Sequence, residues 1–459
     1  MKTRWLVTWT VLPAAALLLL AGSCNRSDRS AKPWSLPHPV SIAPGEGWVG
    51  IFPSWVTWVS GSIDGGTAGL LLRDGDLIMG GDILTVYSAS DGPALEFTSN
   101  KWGGLLLAGK VVSVSLEKGT EGREWLEKAP AQDLAAIRFL MLPKEPDATL
   151  LPTLKRLAAV NPGVGLGVGP NATLQQVLPL FRPRALMIDN ASVDAAGRKI
   201  VADQPQVETL LVSGEEPGSL GFLPMLHGLR RLALMGWDVE KAGPLPAGLQ
   251  GLRSIVVSDS AMKDLSALDA APAEMEELSL TGCKELTDVR ALAKRPGLKT
   301  LILSLSGGDK AMDLSSLAGL KQLQWVGLPL NTSQDQFAAF IAAHRDLKIL
   351  ELTGCAKVTD LAPLRELKEL EGLILNGPYQ HLEVVRDLKS LRFVGLQKDA
   401  FKNSPDQIAE IRKALPDALV VPVGGFCLGS GWILLLVPVV VVASSLAWRR
   451  RAVPGSRHA

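Results

Sequence analysis

From Val207 onward one short pattern of apolar positions keeps returning: apolar, two others, apolar, one other, apolar. It starts at Val207 (then Leu210, Val212), Leu229 (Leu232, Leu234), Leu252 (Ile255, Val257), Met275 (Leu278, Leu280) and Leu298 (Leu301, Leu303). It continues at Leu323 (Val326, Leu328), Leu347 (Leu350, Leu352), Leu370 (Leu373, Leu375) and Leu391 (Val394, Leu396). Successive starts lie 22, 23, 23, 23, 25, 24, 23 and 21 residues apart. Weaker copies open at Ile137 (Leu140, Leu142), Gly163 (Leu166, Val168) and Pro183 (Leu186, Ile188), and Pro416 (Leu419, Val421) begins a last one. A fixed period of this size predicts one short strand and a return segment per unit. No such unit closes a core alone, so neighbours must stack and bury a continuous column. The expected array spans 130–423.

The most regular stretch is Leu347 to Leu375, LKILELTGCAKVTDLAPLRELKELEGLIL. It resembles the leucine-rich repeat family. Its Val358-Thr359-Asp360-Leu361-Ala362-Pro363-Leu364 is similar to the convex segment of bacterial internalin-type repeats, and Leu286 to Leu292 repeats it as LTDVRAL. The resemblance implies an α/β solenoid, with parallel strands on the concave face and short helices or 3₁₀ turns on the convex face. It also implies a turn slot eight residues after each start, where Asn or Cys bonds backbone groups. Cys283, Cys355 and Asn331 stand in that slot and are expected to be buried and structural. Cys283 and Cys355 fall three coils apart, about 14 Å at ~4.8 Å per strand, whereas a disulfide needs Cα atoms within about 7 Å. Both are therefore expected to be reduced.

Upstream, between Gly47 and Gly119, short apolar runs alternate with Asp64-Gly65, Asp74-Gly75, Gly80-Gly81, Asp91-Gly92 and Gly103-Gly104. Leu70–Leu72 and Asp76–Met79 read as a hairpin, and Ile83–Tyr87 and Val111–Leu116 as further strands. A small β domain over 47–125 is expected to cap the array, since an open first coil would expose its leucines. Trp34, Trp48, Trp55, Trp58, Trp102 and Trp125 concentrate around it. They read as the compact core of that domain or as a platform for carbohydrate or membrane surface.

Both ends carry membrane signals. Lys2 and Arg4, an uncharged Trp5–Leu20 and Ala21-Gly22-Ser23 have the order of a signal peptide, giving an exported chain with residues 1–23 removed. Ala21-Gly22-Ser23-Cys24 also resembles a lipobox, making Cys24 the candidate lipidation site. Residues 24–46 form a proline-bearing linker. At the other end, 426–448 holds 23 residues without a formal charge, with Trp432 and Trp448 near its limits and Arg449-Arg450-Arg451 directly after. A span of about 20 apolar residues crosses the bilayer, and the arginines place 449–459 in the cytoplasm as a short basic tail. The expected location is the bacterial inner membrane, single-pass, with the repeats on the extracytoplasmic side. Gly424-Gly425 ahead of this run also resembles a cleaved sorting tail.

Composition narrows the chemistry. Lys+Arg 47 against Asp+Glu 46 leaves a net charge of +1, which speaks against a nucleic-acid binder. Four cysteines in 459 residues exclude a disulfide scaffold, and cysteine-rich caps of the secreted eukaryotic kind are missing, which points to a bacterial envelope protein. No catalytic signature stands in the sequence, and no cofactor or metal is expected. Gly163, Gly165, Gly167 and Gly169 lack dinucleotide spacing and read as close packing. His227 and His344 are expected to be solvated.

Function is expected on the concave face, where residues between the leucines point. One column reads Thr209, Arg231, Ser254, Glu277, Thr300, Trp325, Ile349, Gly372, Phe393, and the next Leu211, Ala233, Val256, Ser279, Ile302, Gly327, Glu351, Ile374, Gly395. Trp325, Ile349, Ile302, Ile374 and Phe393 are expected to form an exposed apolar patch near Glu277, Glu351 and Arg231; the rival reading is that Trp325 is covered by the protein's own terminal segment. Such patches mark interaction sites. The expected protein is a non-enzymatic, membrane-anchored scaffold binding a protein or peptide. The alternatives are an accessory subunit of a membrane complex such as a transporter, or a surface-sorted adhesion protein.

Overall fold

The computed structural model describes residues 121–423, apart from 138, 144–147, 170, 190–192, 214–219, 309–311, 378, 380, 392 and 417, together with 110–116 and five short strands before them. The signal peptide, Cys24, the linker, Trp34, Trp48, Trp55, Trp58, Trp102, the hairpin over 70–79, the span 426–448 and the basic tail lie outside the described residues. No helix among the described residues is long and apolar enough to cross a membrane.

The early strands are β1 (Ser62–Ile63), β2 (Gly66–Ala68), β3 (Leu84–Val86), β4 (Leu95–Ser99) and β5 (Leu105–Leu107). Then follow β6 (Lys110–Ser115), β7 (Phe139–Met141), β8 (Gly165–Val168), β9 (Ala185–Asp189), β10 (Thr209–Ser213), β11 (Arg231–Met235) and β12 (Ser254–Ser258). The rest are β13 (Glu277–Thr281), β14 (Thr300–Ile302), β15 (Trp325–Leu328), β16 (Ile349–Thr353), β17 (Gly372–Asn376), β18 (Phe393–Gln397) and β19 (Leu419–Val423). From β6 to β19 each strand pairs in parallel with the next. Every copy of the apolar pattern, weak ones included, thus supplies one strand, but at the last the pattern points one residue early: Val420 and Pro422, not Leu419 and Val421, align with Val394 and Leu396.

The N-terminal strands differ from expectation in one respect. β3, β4, β5 and β6 pair antiparallel in turn, so they continue the same sheet. The strand over Val111–Leu116, expected in the β domain, is the first parallel strand of the array, and residues Glu121–Lys128 are helical. The period starts one coil earlier than expected, with Val111, Val114 and Leu116 at the positions of Ile137, Leu140 and Leu142.

Between strands the chain returns through short helices, such as Leu151–Val160, Ala195–Ala202, Gln334–Ala343 and Pro405–Ala414, or through 3₁₀ turns. The 3₁₀ turns include Ser266–Leu268, Arg290–Lys294, Ser315–Gly319 and Ala362–Glu366. The aspartate of each convex motif sets the start of its turn. Asp264, Asp288, Asp313 and Asp360 accept backbone N–H bonds from Ser266, Arg290, Ser315 and Ala362 at 2.8, 2.9, 2.9 and 2.8 Å. Each satisfies an amide that the turn leaves without a partner. Strand entry repeats as well: the carbonyl before each strand accepts two N–H groups of the next coil. Lys299 O takes Gln324 N and Trp325 N, and Gln324 O takes Lys348 N and Ile349 N.

The leucines of the pattern form one continuous cluster from Val114 to Val420. At ~1.5–3 kcal/mol per buried aliphatic side chain, this column offsets the ordering of each coil only because neighbours stack. Side chains from one coil also staple the exposed carbonyl ends of the coil before. Arg295 donates to Leu268 O at 2.6 Å, and Asn161 Nδ2 to Ile137 O at 2.7 Å. His344 belongs to this set and is buried, not solvated as expected: its ring nitrogens lie 2.9 Å from Phe340 O and 3.0 Å from Leu317 O. Burial pushes its pKa below the usual imidazole value, against the pull of those carbonyls. His227 is exposed, as expected.

Candidate functional site: the concave sheet face

Parallel pairing without slippage sets the concave columns. Thr209, Arg231, Ser254, Glu277, Thr300, Trp325, Ile349, Gly372 and Phe393 stand side by side on successive strands. So do Leu211, Ala233, Val256, Ser279, Ile302, Gly327, Glu351, Ile374 and Gly395. Both columns are those expected from alternation.

Their exposure is not. Trp325, Ile349, Ile302, Ile374, Glu277 and Glu351 retain only 0 to 6% of their accessible surface, so the expected exposed apolar patch is absent among the described residues. Arg231 is half-buried, and the side chain of Phe393 lies outside the described residues. Alternation gives the direction of a side chain, and direction alone does not give its cover. Leu211, Val256, Ile302, Trp325, Ile349 and Ile374 are buried, yet none belongs to the leucine cluster. They form a second apolar layer on the opposite face of the sheet.

The centre of that layer is polar. Trp325 Nε1 donates to Glu351 Oε1 at 2.8 Å, and Ser304 Oγ donates to Glu351 Oε2 at 3.4 Å. Gly327 stands between them, directly opposite Glu351. A Cβ at 327 would crowd the Ser304 hydroxyl and come within 3.1 Å of Ile302 Cγ2, so only glycine leaves the slot through which Ser304 reaches the carboxyl two coils away. Burial pushes the Glu351 pKa up to about 7, although both donors favour the ionised form. Desolvation outweighs two hydrogen bonds here because neither donor carries a charge. Ser304 was missed in the sequence, although alternation points to it: it stands six residues after Leu298, where Thr281 and Thr353 stand in their coils.

This cluster fixes a buried indole against a buried carboxyl group, each of whose oxygens accepts one hydrogen bond. The Ser304 hydroxyl donates to that carboxyl group. Among the described residues no group of three or more His, Cys, Asp or Glu could hold a metal ion.

The turn slots are structural. Cys283 and Cys355 are buried free thiols. Burial pushes their pKa values up to about 11 and about 12. Cys355 Sγ lies 3.3 Å from Pro329 O, and Cys283 N donates to Ser306 Oγ at 3.0 Å. Ser260 and Ser306 fill the same slot, donating to Trp237 O and Leu280 O at 2.7 and 2.5 Å. Asn331 departs from expectation: it is half-buried, and Thr332 takes over, with Oγ1 donating to Pro329 O at 2.7 Å. Gly167 is a packing glycine, since a Cβ there would lie 2.5 Å from Met141 Sδ.

No family model matches the chain, and no curated protein does. Among solved structures, an internalin from Listeria monocytogenes aligns over 66% of this chain and 88% of its own, at 14% identity and a TM-score of 0.37. A leucine-rich repeat protein from Leptospira interrogans aligns over 67% of this chain and 99% of its own, at 15% identity and a TM-score of 0.30. A chain of the Toll–Spätzle complex from Drosophila covers 74% of this chain and 58% of that one, at 12% identity and a TM-score of 0.37. The architecture rests on the strands themselves: a parallel sheet with one strand per coil, returned through short helices and 3₁₀ turns, matches a leucine-rich repeat solenoid.

Proposed function

We propose that this chain is a non-enzymatic repeat scaffold of the bacterial envelope and that its concave sheet face binds a polypeptide. The reading rests above all on the second apolar layer: it is chemically varied, centred on Trp325 and Glu351, and separate from the core that the repeats need for folding. A solenoid closes its core with one face of the sheet, so apolar side chains on the other face serve contact with something else. An indole fixed by a carboxylate is a pre-ordered anchor of the kind that dominates polypeptide interfaces.

The membrane part of the proposal is supported by the uncharged run 426–448 and the arginines behind it. It places the repeats outside and residues 449–459 inside, with a lipid on Cys24 as a second attachment. Protease added to intact spheroplasts should remove the repeats and leave the basic tail protected; a tail cut from outside would contradict this placement.

The binding claim is tested by photocrosslinking in intact cells from a probe at Ile349. An adduct with an envelope protein or peptide, lost in Trp325→Ala and kept in Arg365→Ala, is expected. Equal adducts from both variants would count against the concave face. The same apolar run favours a second reading, an accessory subunit of a membrane complex, which stoichiometric copurification from detergent would reveal.

A further inference from the structure

Along the edge where the chain enters its strands, opposite charges meet between neighbouring coils. Arg184 pairs with Glu208 at 2.8 Å, Lys299 with Glu276 at 2.9 Å, and Lys348 with Glu371 at 3.6 Å. β11 and β12 break this rule. Arg230 and Arg253 hold the same position on these two coils, directly before the aligned residues Arg231 and Ser254. Both are exposed, and neither has an ion-pair partner among the described residues. Arg253 donates only within its own loop, to Gln250 O and Leu252 O, both at 3.4 Å. Exposed arginines farther along are neutralised: Arg345 and Arg365 meet Glu366 and Asp387 at 2.9 and 2.8 Å. Like charges side by side on strands ~4.8 Å apart repel, so this pair costs stability that the stack gains at its other coils.

We infer that Arg230 and Arg253 bind the carboxylates of an acidic run in the polypeptide that the concave face takes. This rests on the reading of that face as a polypeptide-binding surface and adds the chemistry of its ligand. A guanidinium fork matches a carboxylate through two parallel hydrogen bonds, and two exposed forks side by side suit adjacent or alternate acidic residues. The strip is also narrow. Glu208 and Glu276 stand one coil away on either side, already engaged by Arg184 and Lys299. A nucleic acid or an anionic bilayer would press its charges against those carboxylates too, whereas a few side chains of one peptide fit between them. Position supplies the link to the concave face. Arg231 follows Arg230 and belongs to the column of Trp325, four strands away. That is about 19 Å, which an extended chain covers in about six residues. The ligand therefore carries its acidic run about six residues from the apolar group that meets Trp325.

Fluorescence anisotropy of a labelled hexaglutamate peptide, added to the detergent-solubilised full chain at low salt, tests the inference. Binding is expected to weaken at least tenfold in Arg230→Gln/Arg253→Gln, to stay unchanged in Arg365→Gln, and to be absent for hexaglutamine. Should the double variant fail to fold, Arg230→Lys/Arg253→Lys, which keeps the charges and loses the forks, is expected to weaken binding at least threefold. Undiminished binding by the folded variant would overturn the inference. So would displacement of the peptide by micromolar inorganic phosphate or glycerol phosphate, which would assign the pair to a phosphate or a lipid headgroup. Either result leaves the crosslink from Ile349 to test the polypeptide reading by itself. Absence of that crosslink from the unaltered chain, with hexaglutamate binding lost in the double variant, would sink the concave reading and leave the arginine pair as an acidic-peptide site.

Discussion

The two faces of the same sheet teach different things. On the core face each coil says the same: Leu278 and Leu280, Leu301 and Leu303, Leu350 and Leu352, Leu373 and Leu375, all buried. On the concave face each coil says something else: Glu277 and Ser279, Thr300 and Ile302, Trp325 and Gly327, Ile349 and Glu351. Uniformity follows from stacking, because every leucine must fit the leucine before and after it. Variety is free to serve recognition, because the column closes without it. Burial alone does not separate the two faces; membership in the continuous cluster does.

The largest expected effect comes from cutting the two faces at neighbouring positions. Leu350→Ala opens a cavity in the column between two coils and should cost about 2–5 kcal/mol. Ile349→Ala, one residue earlier and on the other face, should cost clearly less, because Ile349 lies outside the continuous leucine cluster. Urea midpoints of the two variants check this. Equal losses would make the concave layer a second structural core.

Next comes Glu351. Its folded pKa of about 7 stands above its ordinary value of 4.5, so folding takes up a proton between those two pH values. The contribution of Glu351 to stability is therefore fully present below about pH 4.5, is lost as pH rises through about 7, and stays absent above it. Glu351→Gln keeps an acceptor for Trp325 Nε1 and removes the ionisation. It should stabilise the chain at pH 8 by on the order of 3 kcal/mol, the size of such a shift, and change little at pH 4. Thermal melts at both pH values read the difference. A pH-independent effect would mean that the carboxyl is solvated.

The turn slot gives a middling effect. Ser306 Oγ joins Leu280 O to Cys283 N, so Ser306→Ala leaves two buried backbone groups without partners. A loss of about 1–3 kcal/mol is expected, with amide exchange quickening at Cys283 first.

The comparison of faces also explains what the sequence could show. The core face is periodic, and period alone revealed β7 to β18, their register and both concave columns; at the last strand it misplaced the register by one, since Val420 and not Leu419 aligns with Val394. Even the weak copies at Ile137, Gly163 and Pro183 became β7, β8 and β9. Three things escaped. The cover of the concave face is no property of the strands that carry it, so Trp325 and Ile349 read as exposed. His344 sits at a helix end where a stray histidine and a carbonyl staple look alike in one dimension; only the neighbouring coil supplies Leu317 O. The slot at 331 moved by one to Thr332, a shift that the leucine spacing does not locate. Ser304 was within reach, since alternation continues one step past Ile302.

The smallest effect tests the turn itself. The residue before the slot is left-handed in coil after coil: Gly236, Gly282 and Gly354 have φ of 60°, 70° and 69°, and Asp259 stands there at 53°. Leu305 occupies the same place at φ 60° and is half-buried. A side chain in that conformation costs roughly 1–2 kcal/mol, which glycine avoids, while glycine's extra freedom in the unfolded chain returns about 0.5–1 kcal/mol of that. Leu305→Gly should therefore stabilise the chain by no more than about 1 kcal/mol, seen as a small rise in the urea midpoint with an unchanged slope. The gain should be local, slowing exchange at Ser306 and Gly307 ahead of the strands. A clear loss instead would mean that Leu305 holds the neighbouring turns together by its side chain, and that this coil departs from the rule the other four obey.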